Sequence, residues 1–137
     1  MSHRNHTRVA GLAGVAFLSC AALVAGPVAA AQAKSGVTIS ASPGHVRVGA
    51  SVTVQAIGGG DTAGLAQVLC IQHQHSRNQW VDVACRRLPD QSSGTVTAHI
   101  REQRVGRATY RAYLSFPGSH GTWTGYASAP TTVTVTG

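Results

Sequence analysis

Two histidines and an aspartate have the chemistry of a metal site. His73 and His75 are two residues apart, so on a strand they share one face. If the chain turns tightly after them, His73 lies opposite Asp82. Imidazole and carboxylate ligands suit zinc or copper. The alternative is a polar hairpin end with a surface His–Asp pair, because a shift of one residue in register would move Asp82 to the other face.

Arginines are concentrated in the later half of the chain, where few acids accompany them. The guanidinium group is planar and permanently charged, so it suits phosphate and carboxylate groups. The pattern predicts a docking patch for an anionic cell-wall polymer, acidic polysaccharide or extracellular DNA, and the alternative is a solvated basic surface. Specific nucleic-acid recognition is not expected, because no segment has helical periodicity. The predicted polyanion-binding residues are Arg86, Arg87, Arg101, Arg104 and Arg107, with Arg111 nearby in sequence.

Large aromatic residues occur together in the glycine-rich segment 121–126. Trp123 and Tyr126 have glycine neighbours that leave their ring faces open, and His120 precedes them. Aromatic faces can stack on sugar rings. We therefore expect a ligand-binding loop for a carbohydrate or another protein, and the alternative is a loop that folds back over the core.

The sequence lacks the common constellations of an enzyme. Its 4 acidic residues argue against a glycosidase built on two carboxylates. No Gly-x-Ser-x-Gly motif occurs, and the glycine run at 58–60 is not followed by the Gly-Lys-Ser/Thr of a phosphate loop. We expect a non-enzymatic protein that needs no cofactor.

Length and composition limit the scaffold that positions these side chains. The chain has 137 residues, 11 Lys and Arg against 4 Asp and Glu, a net charge of +7 and 5% aromatic residues. These values indicate one small basic domain with a mainly aliphatic core, and they exclude a large multidomain enzyme.

Alternation of apolar and polar residues predicts an all-β fold. Seven strands separated by turn signals favour an immunoglobulin-like antiparallel β-sandwich, although a small barrel would have the same strand count. The glycine run at 58–60 is expected to end the second strand. The predicted strands span residues 37–42, 51–56, 65–72, 80–87, 94–100, 109–116 and 131–136.

Two cysteines belong to the predicted hairpin. With its turn at residues 77–78, Cys70 lies directly opposite Cys85. An even pair in an exported protein is typical of a disulfide. Closing a loop of this length would stabilise the fold by about 3 kcal/mol.

The N-terminus has the pattern of a secretory signal peptide. Arg4 and Arg8 precede an apolar stretch, and small residues end it at Ala31-Gln32-Ala33. We expect cleavage after Ala33 or after Ala31; a retained membrane anchor is the alternative. Cleavage after Ala33 leaves a single domain, residues 34–137. We expect this domain to be a secreted monomer without a membrane span, either free outside the cell or associated with the cell wall.

The strand motifs resemble those of bacterial immunoglobulin-like domains in secreted actinobacterial proteins. The resemblance rests on W-V-D-V-A at 80–84, G-T-V at 94–96, T-Y-R-A at 109–112 and V-T-V at 133–135. It implies the sandwich fold and a binding or cell-envelope-associated module. Tyr110 falls where that family has a packed tyrosine, which would form a tyrosine corner.

A second resemblance is to the neocarzinostatin-type carrier proteins. It covers residues 37–56 and the cysteine-closed hairpin, and it implies a small-molecule carrier as an alternative function. That family has a second disulfide, for which the predicted mature chain has no further cysteines. Metal binding through His73 and His75 is the other alternative.

Overall fold

The computed structural model describes residues 35–137 as nine strands and one short 3-10 turn. The predicted signal peptide, residues 1–33, lies outside the described residues. All seven predicted strands are present, together with two shorter strands that the sequence did not predict, His45–Arg47 and Trp123–Ala127. The strands are β1 (Ser35–Ser42), β2 (His45–Arg47), β3 (Ser51–Gly60), β4 (Gln67–Ser76), β5 (Gln79–Leu88), β6 (Ser92–Arg101), β7 (Gly106–Pro117), β8 (Trp123–Ala127) and β9 (Thr131–Thr136), with the 3-10 turn at Ser119–Gly121.

The strands form two sheets that pack as an immunoglobulin-like sandwich. The smaller sheet has the order β1-β3-β6, and the larger has the order β2-β9-β7-β4-β5. β9 pairs with the first half of β7 and β8 with the second half, so both lie along the same edge of β7. All pairings are antiparallel except that of β2 with β9. The predicted sandwich fold is confirmed.

The core between the sheets is mainly aliphatic, as the composition indicates. Alternate residues of β3 and β7 point inward; Val52, Val54 and Leu114 are fully buried. Full burial of each such side chain contributes roughly 1.5–3 kcal/mol. Tyr110 is the largest fully buried side chain and lies where β7 approaches the open end of the sandwich.

The glycine run at 58–60 continues β3 rather than ending it, so this sequence-based expectation is wrong. Gly58 pairs with both Val37 and Gly94. A Cβ at Gly58 would lie 2.7 Å from Cγ1 of Val37. The run has no side chains because neighbouring strands lie close to its backbone, and this packing offsets the entropic cost of ordering glycine.

The hairpin of β4 and β5 contains the predicted disulfide. Cys70 and Cys85 are paired in register, and the bond between them closes a separation of 15 residues. The disulfide therefore joins neighbouring strands of one sheet, as expected. Among the described residues, no helix is long and apolar enough to cross a membrane.

Side-chain hydrogen bonds hold the connection between β3 and β4. Asp90 accepts bonds from the amide nitrogens of Thr62 and Gly64, at 2.5 and 2.6 Å. The bonds from Thr62 are the main reason that the pKa of Asp90 is lowered. Gln67 is fully buried, and its amide nitrogen faces the carbonyl oxygens of Gly60, Pro89 and Ser92 within 3.1 Å.

Candidate anion-binding cleft

A cleft of about 470 Å³ opens at the end of the sandwich where β4 and β6 end and β7 begins. Its size is within the range of small-molecule sites. The apolar part of its lining consists of Val83, Ile100, Val105, Ala108 and Tyr110. The basic part consists of His73, His75, Arg101, Arg104 and Arg107.

The arginines reach the cleft because β6 and β7 are joined by a short connection. Arg101 is the last residue of β6, Arg104 lies in the connection, and Arg107 is the second residue of β7. Gly106 permits the turn, since its φ of +131° is a conformation that other residues rarely adopt. Three arginines from one hairpin therefore surround one opening.

Two β-bulges in the β4–β5 hairpin direct further side chains toward the cleft. Ile71 pairs with Ala84 and Gln72 with Asp82, so Val83 is an extra residue on β5. A second shift, between Gln74 and Ser76, leaves His75 without a partner on β5. Val83 and His75 both line the cleft. Bulges commonly redirect side chains near functional sites.

A buried hydrogen bond forms the floor of the cleft. The hydroxyl of Tyr110 donates to the carboxylate of Glu102, which is 8% exposed. The backbone of Glu102 is fixed by Gly49 and Ala50, through bonds of 2.7 and 3.1 Å. Tyr110 is therefore tied to a side chain eight residues upstream. The expected tyrosine corner is therefore wrong, because in that motif the tyrosine hydroxyl bonds to a backbone group, whereas here it bonds to a side chain.

The electrostatics of the cleft favour anions. Arg101, Arg104 and Arg107 are permanently charged, and the carboxylate of Glu102 is the single acid among the described residues that line the cleft. His73 lies against the floor, with its ring centroid 5.1 Å from the ring centroid of Tyr110. Low-dielectric walls concentrate the field of such charges. The arrangement can hold an anionic group above an apolar surface.

The predicted metal site is not assembled. Between the bulges at His75 and Val83 the register is shifted by one residue, so His73 pairs with Val81 and not with Asp82. Asp82 instead accepts a hydrogen bond of 2.8 Å from the side chain of Gln72. Within the part of the chain that the structure describes, Asp82 approaches Cys70 and Cys85, whose sulfurs are joined in the disulfide. The set of His73, His75 and Asp82 is therefore wrong, because one inserted residue changes the register.

The predicted polyanion patch divides into two groups. Arg101, Arg104 and Arg107 lie together at the cleft, as described above. Arg86 and Arg87 pair with the first residues of β4, beyond the disulfide from the hairpin turn. Arg86 donates to the carbonyl oxygen of Thr95 at 3.4 Å. A single continuous patch is thus not formed, because β5 carries these two arginines away from the cleft.

The predicted aromatic loop is a strand. β8 pairs with β7, with Trp123 opposite Pro117 and Tyr126 opposite Leu114. An odd separation along a strand places Trp123 and Tyr126 on opposite faces. His120 lies in the 3-10 turn, apart from both strands. The shared aromatic surface expected from the sequence is therefore wrong, although Trp123 and Tyr126 are both exposed.

A cluster that the sequence did not indicate lies on the outer face of the larger sheet. The guanidinium of Arg111 lies 4.2 Å from the ring centroid of Trp80 and 5.4 Å from that of Tyr113. Arg111 and Tyr113 are two residues apart on β7, so they share this face. The sequence could have indicated this shared face from the spacing of Arg111 and Tyr113. It could not have indicated the contact with Trp80, which depends on the bulges in the β4–β5 pairing.

No family model and no curated protein matches the chain. Solved structures that match include a chain from a study of T cell specificity and activation by the bacterial superantigen toxic shock syndrome toxin-1. It is 16% identical with a TM-score of 0.48, over 74% of this chain and 100% of that chain. Beta-glucosidase from Listeria innocua in complex with glucose is 15% identical with a TM-score of 0.39, over 75% of this chain and 16% of the enzyme. Neither likeness indicates a function for this chain.

Proposed function

We propose that this chain is a secreted, non-enzymatic immunoglobulin-like domain whose cleft binds an anionic polymer of the cell envelope. The observation that supports the proposal is the gathering of Arg101, Arg104 and Arg107 around one cleft. The resemblance to bacterial immunoglobulin-like domains agrees with a binding role. A polymer of repeating phosphate or carboxylate groups would contact several of these arginines at once.

The disulfide and the N-terminal sequence support a location outside the cytoplasm. Disulfides persist in oxidising compartments and are rare in the cytosol. The bond between Cys70 and Cys85 is compatible with an extracellular protein. The basic and apolar pattern of residues 1–33 has the order of a secretory signal peptide.

The chemistry of the cleft supports binding rather than catalysis. Glu102 is held by the hydroxyl of Tyr110 at the floor. Catalysis by paired carboxylates would need a second acid facing the same space. The described lining supplies none, whereas it supplies cations and apolar side chains.

Sedimentation with purified cell walls tests this proposal. Protein expressed from the full chain is mixed with intact walls and with walls stripped of teichoic acid, from about 0.05 to 0.5 M salt. We expect retention on intact walls at low salt, and loss of retention as the Debye length shrinks below about 10 Å.

Matched charge variants identify the surface responsible. R104Q/R107Q removes two charges at the cleft, and R86Q/R87Q removes two charges away from it. We expect the first variant to lose most of its retention and the second to keep it. Equal losses would mean that overall charge, rather than the cleft, causes binding, and no retention at low salt would overturn the proposal.

A second candidate function is favoured by the volume of the cleft and by the apolar side chains that line it. A cavity of about 470 Å³ can hold a small aromatic anion, as a carrier protein would require. Titration with a fluorescent naphthalene sulfonate tests this directly. Saturable binding of one dye per protein that is weakened by R104Q/R107Q would favour a carrier; binding of wall polymer without the dye would favour the first proposal.

A further inference from the structure

The outer face of the larger sheet holds a row of side chains that is independent of the cleft. We call it the outer-face row and define it by Trp80 on β5, Arg111 and Tyr113 on β7, and Trp123 on β8. Trp123 lies opposite Pro117, on the same face as Arg111 and Tyr113. Pro117 is six residues from Arg111, so the row extends for about 20 Å along the strand.

Arg111 is held in one orientation within this row. Its guanidinium lies between the rings of Trp80 and Tyr113, at 4.2 and 5.4 Å. Its Nε donates to Oε1 of Gln72 at 2.8 Å, and Gln72 in turn donates to Asp82 at 2.8 Å. Because Arg111 is already ordered, its side chain loses less conformational entropy when a ligand binds.

The terminal nitrogens of Arg111 remain available. A guanidinium has five N–H donors, and among the described residues only Nε has a hydrogen-bond acceptor. Arg111 is half-buried, and burial lowers its pKa, with Tyr113 acting in the opposite direction. Water therefore stabilises this cation less than an exposed one. A carboxylate could accept two parallel bonds from the free nitrogens.

The side chain of Tyr113 extends over Gly125 of β8, beside this group. A Cβ at Gly125 would lie 2.9 Å from Cζ and from the hydroxyl oxygen of Tyr113, so the ring occupies the space that a side chain would take. Trp123 is 61% exposed and lies on the same face of β8 as Gly125.

We propose that the outer-face row binds a polysaccharide containing carboxylated sugars. Arg111 pairs with a sugar carboxylate, and the rings of Tyr113 and Trp123 stack on the apolar faces of sugar rings. Asp82 is exposed, and its second carboxylate oxygen accepts a sugar hydroxyl. This site is separate from the cleft and does not depend on the function proposed for it.

The combination of groups selects this ligand class. An acidic peptide would pair with Arg111 but would not need two aromatic rings about 13 Å apart along the strand. A neutral glycan would use the rings but would offer the arginine's free donors only uncharged hydroxyl acceptors, without the bidentate ion pair that a carboxylate makes. A carboxylated sugar chain uses the cation, both rings and the acceptor at Asp82.

Calorimetric titration with a hexasaccharide of galacturonic acid tests the proposal, using protein expressed from the full chain. The matched probe is the same oligosaccharide with its carboxylates methylated, which removes the charge and keeps the rings. We expect R111Q to bind the acidic probe at least tenfold more weakly and to lose the preference over the methyl ester. W123A should weaken both probes equally, and at about 0.3 M salt, where the long-range attraction of the cleft is screened, R104Q/R107Q should change the binding of neither probe.

Several results would overturn the proposal. These are no binding of the acidic probe by the wild-type protein, equal binding of a hexaglutamate peptide, or loss of binding in R104Q/R107Q with retention in R111Q. Thermal melting checks that each variant is folded. If R111Q is unfolded, W123A decides, because the exposed Trp123 can be removed without disturbing the core.

Discussion

Replacing Tyr110 by phenylalanine tests the floor of the cleft. Tyr110 is fully buried, and its hydroxyl is bonded to Glu102, which is 8% exposed. Phenylalanine fills the same space, so Tyr110→Phe removes one hydrogen bond without creating a large cavity. A hydrogen bond to a charged group contributes roughly 1.5–3 kcal/mol. We expect the free energy of unfolding to fall by about 2 kcal/mol.

Urea denaturation at pH 7, followed by tryptophan fluorescence, measures this change. The transition midpoint should shift while its slope stays constant, because the surface exposed on unfolding is unchanged. For a domain of about 100 residues, 2 kcal/mol corresponds to a decrease in Tm of roughly 8–10 °C.

Glu102→Gln is the matched control, because it keeps an acceptor for Tyr110 and removes the charge. We expect a smaller loss of stability and, since the cleft then contains no acid among its described lining, tighter binding of anions. The double variant should be less destabilised than the sum of the single variants. A Tyr110→Phe protein within about 0.5 kcal/mol of wild type, or strictly additive effects, would refute this account of the floor.

Three further predictions concern the scaffold. C70A/C85A should lower the free energy of unfolding by about 3 kcal/mol in urea, because the bond closes 15 residues; a loss below about 1 kcal/mol would contradict this. Gln67→Met should lower the free energy of unfolding by about 1–3 kcal/mol and speed amide exchange near the β3–β4 connection, because the carbonyl oxygens of Gly60, Pro89 and Ser92 lose the donor that the Gln67 amide supplies; unchanged exchange would count against it. The pKa of Asp90 is lower in the folded protein than its ordinary value of 3.8. The ionised carboxylate therefore stabilises the fold above pH 3.8, and this stabilisation is lost as the pH falls through the pKa of the folded state. The Tm difference between wild type and Asp90→Asn should therefore shrink on acidification, and a difference independent of pH would exclude this role.

The β4–β5 hairpin shows how far sequence reasoning extends. The turn position correctly places Cys70 opposite Cys85, because the extra residue on β4, His75, is offset by the extra residue on β5, Val83. Between these two bulges the register is shifted by one residue, so the partners of His73 and Asp82 change. Alternation of apolar residues fixes which face is buried but does not mark where one strand gains a residue. The fold was thus predictable, whereas the metal site was not.

The predictions of one arginine patch and one aromatic surface are wrong for a related reason. Composition shows that cations are numerous, but separating Arg86 from Arg104 requires the sheet topology. Likewise, glycines around Trp123 suggested a loop, whereas Gly125 allows Tyr113 to lie across a paired strand. Glycine marks both turns and close approaches, and a single sequence does not distinguish these two uses.

The domain uses arginine in two physically different environments. At the cleft, Arg104 and Arg107 are exposed, so their attraction for anions is long-ranged and is screened by salt. On the outer face, Arg111 is half-buried between two rings, and its pairing with a carboxylate would be short-ranged and directional. Screening weakens the first kind of contact much more than the second. The contributions of the two surfaces to anion binding are therefore separable by their salt dependence: binding at the cleft should fall steeply as salt is added, whereas binding at the outer-face row should persist.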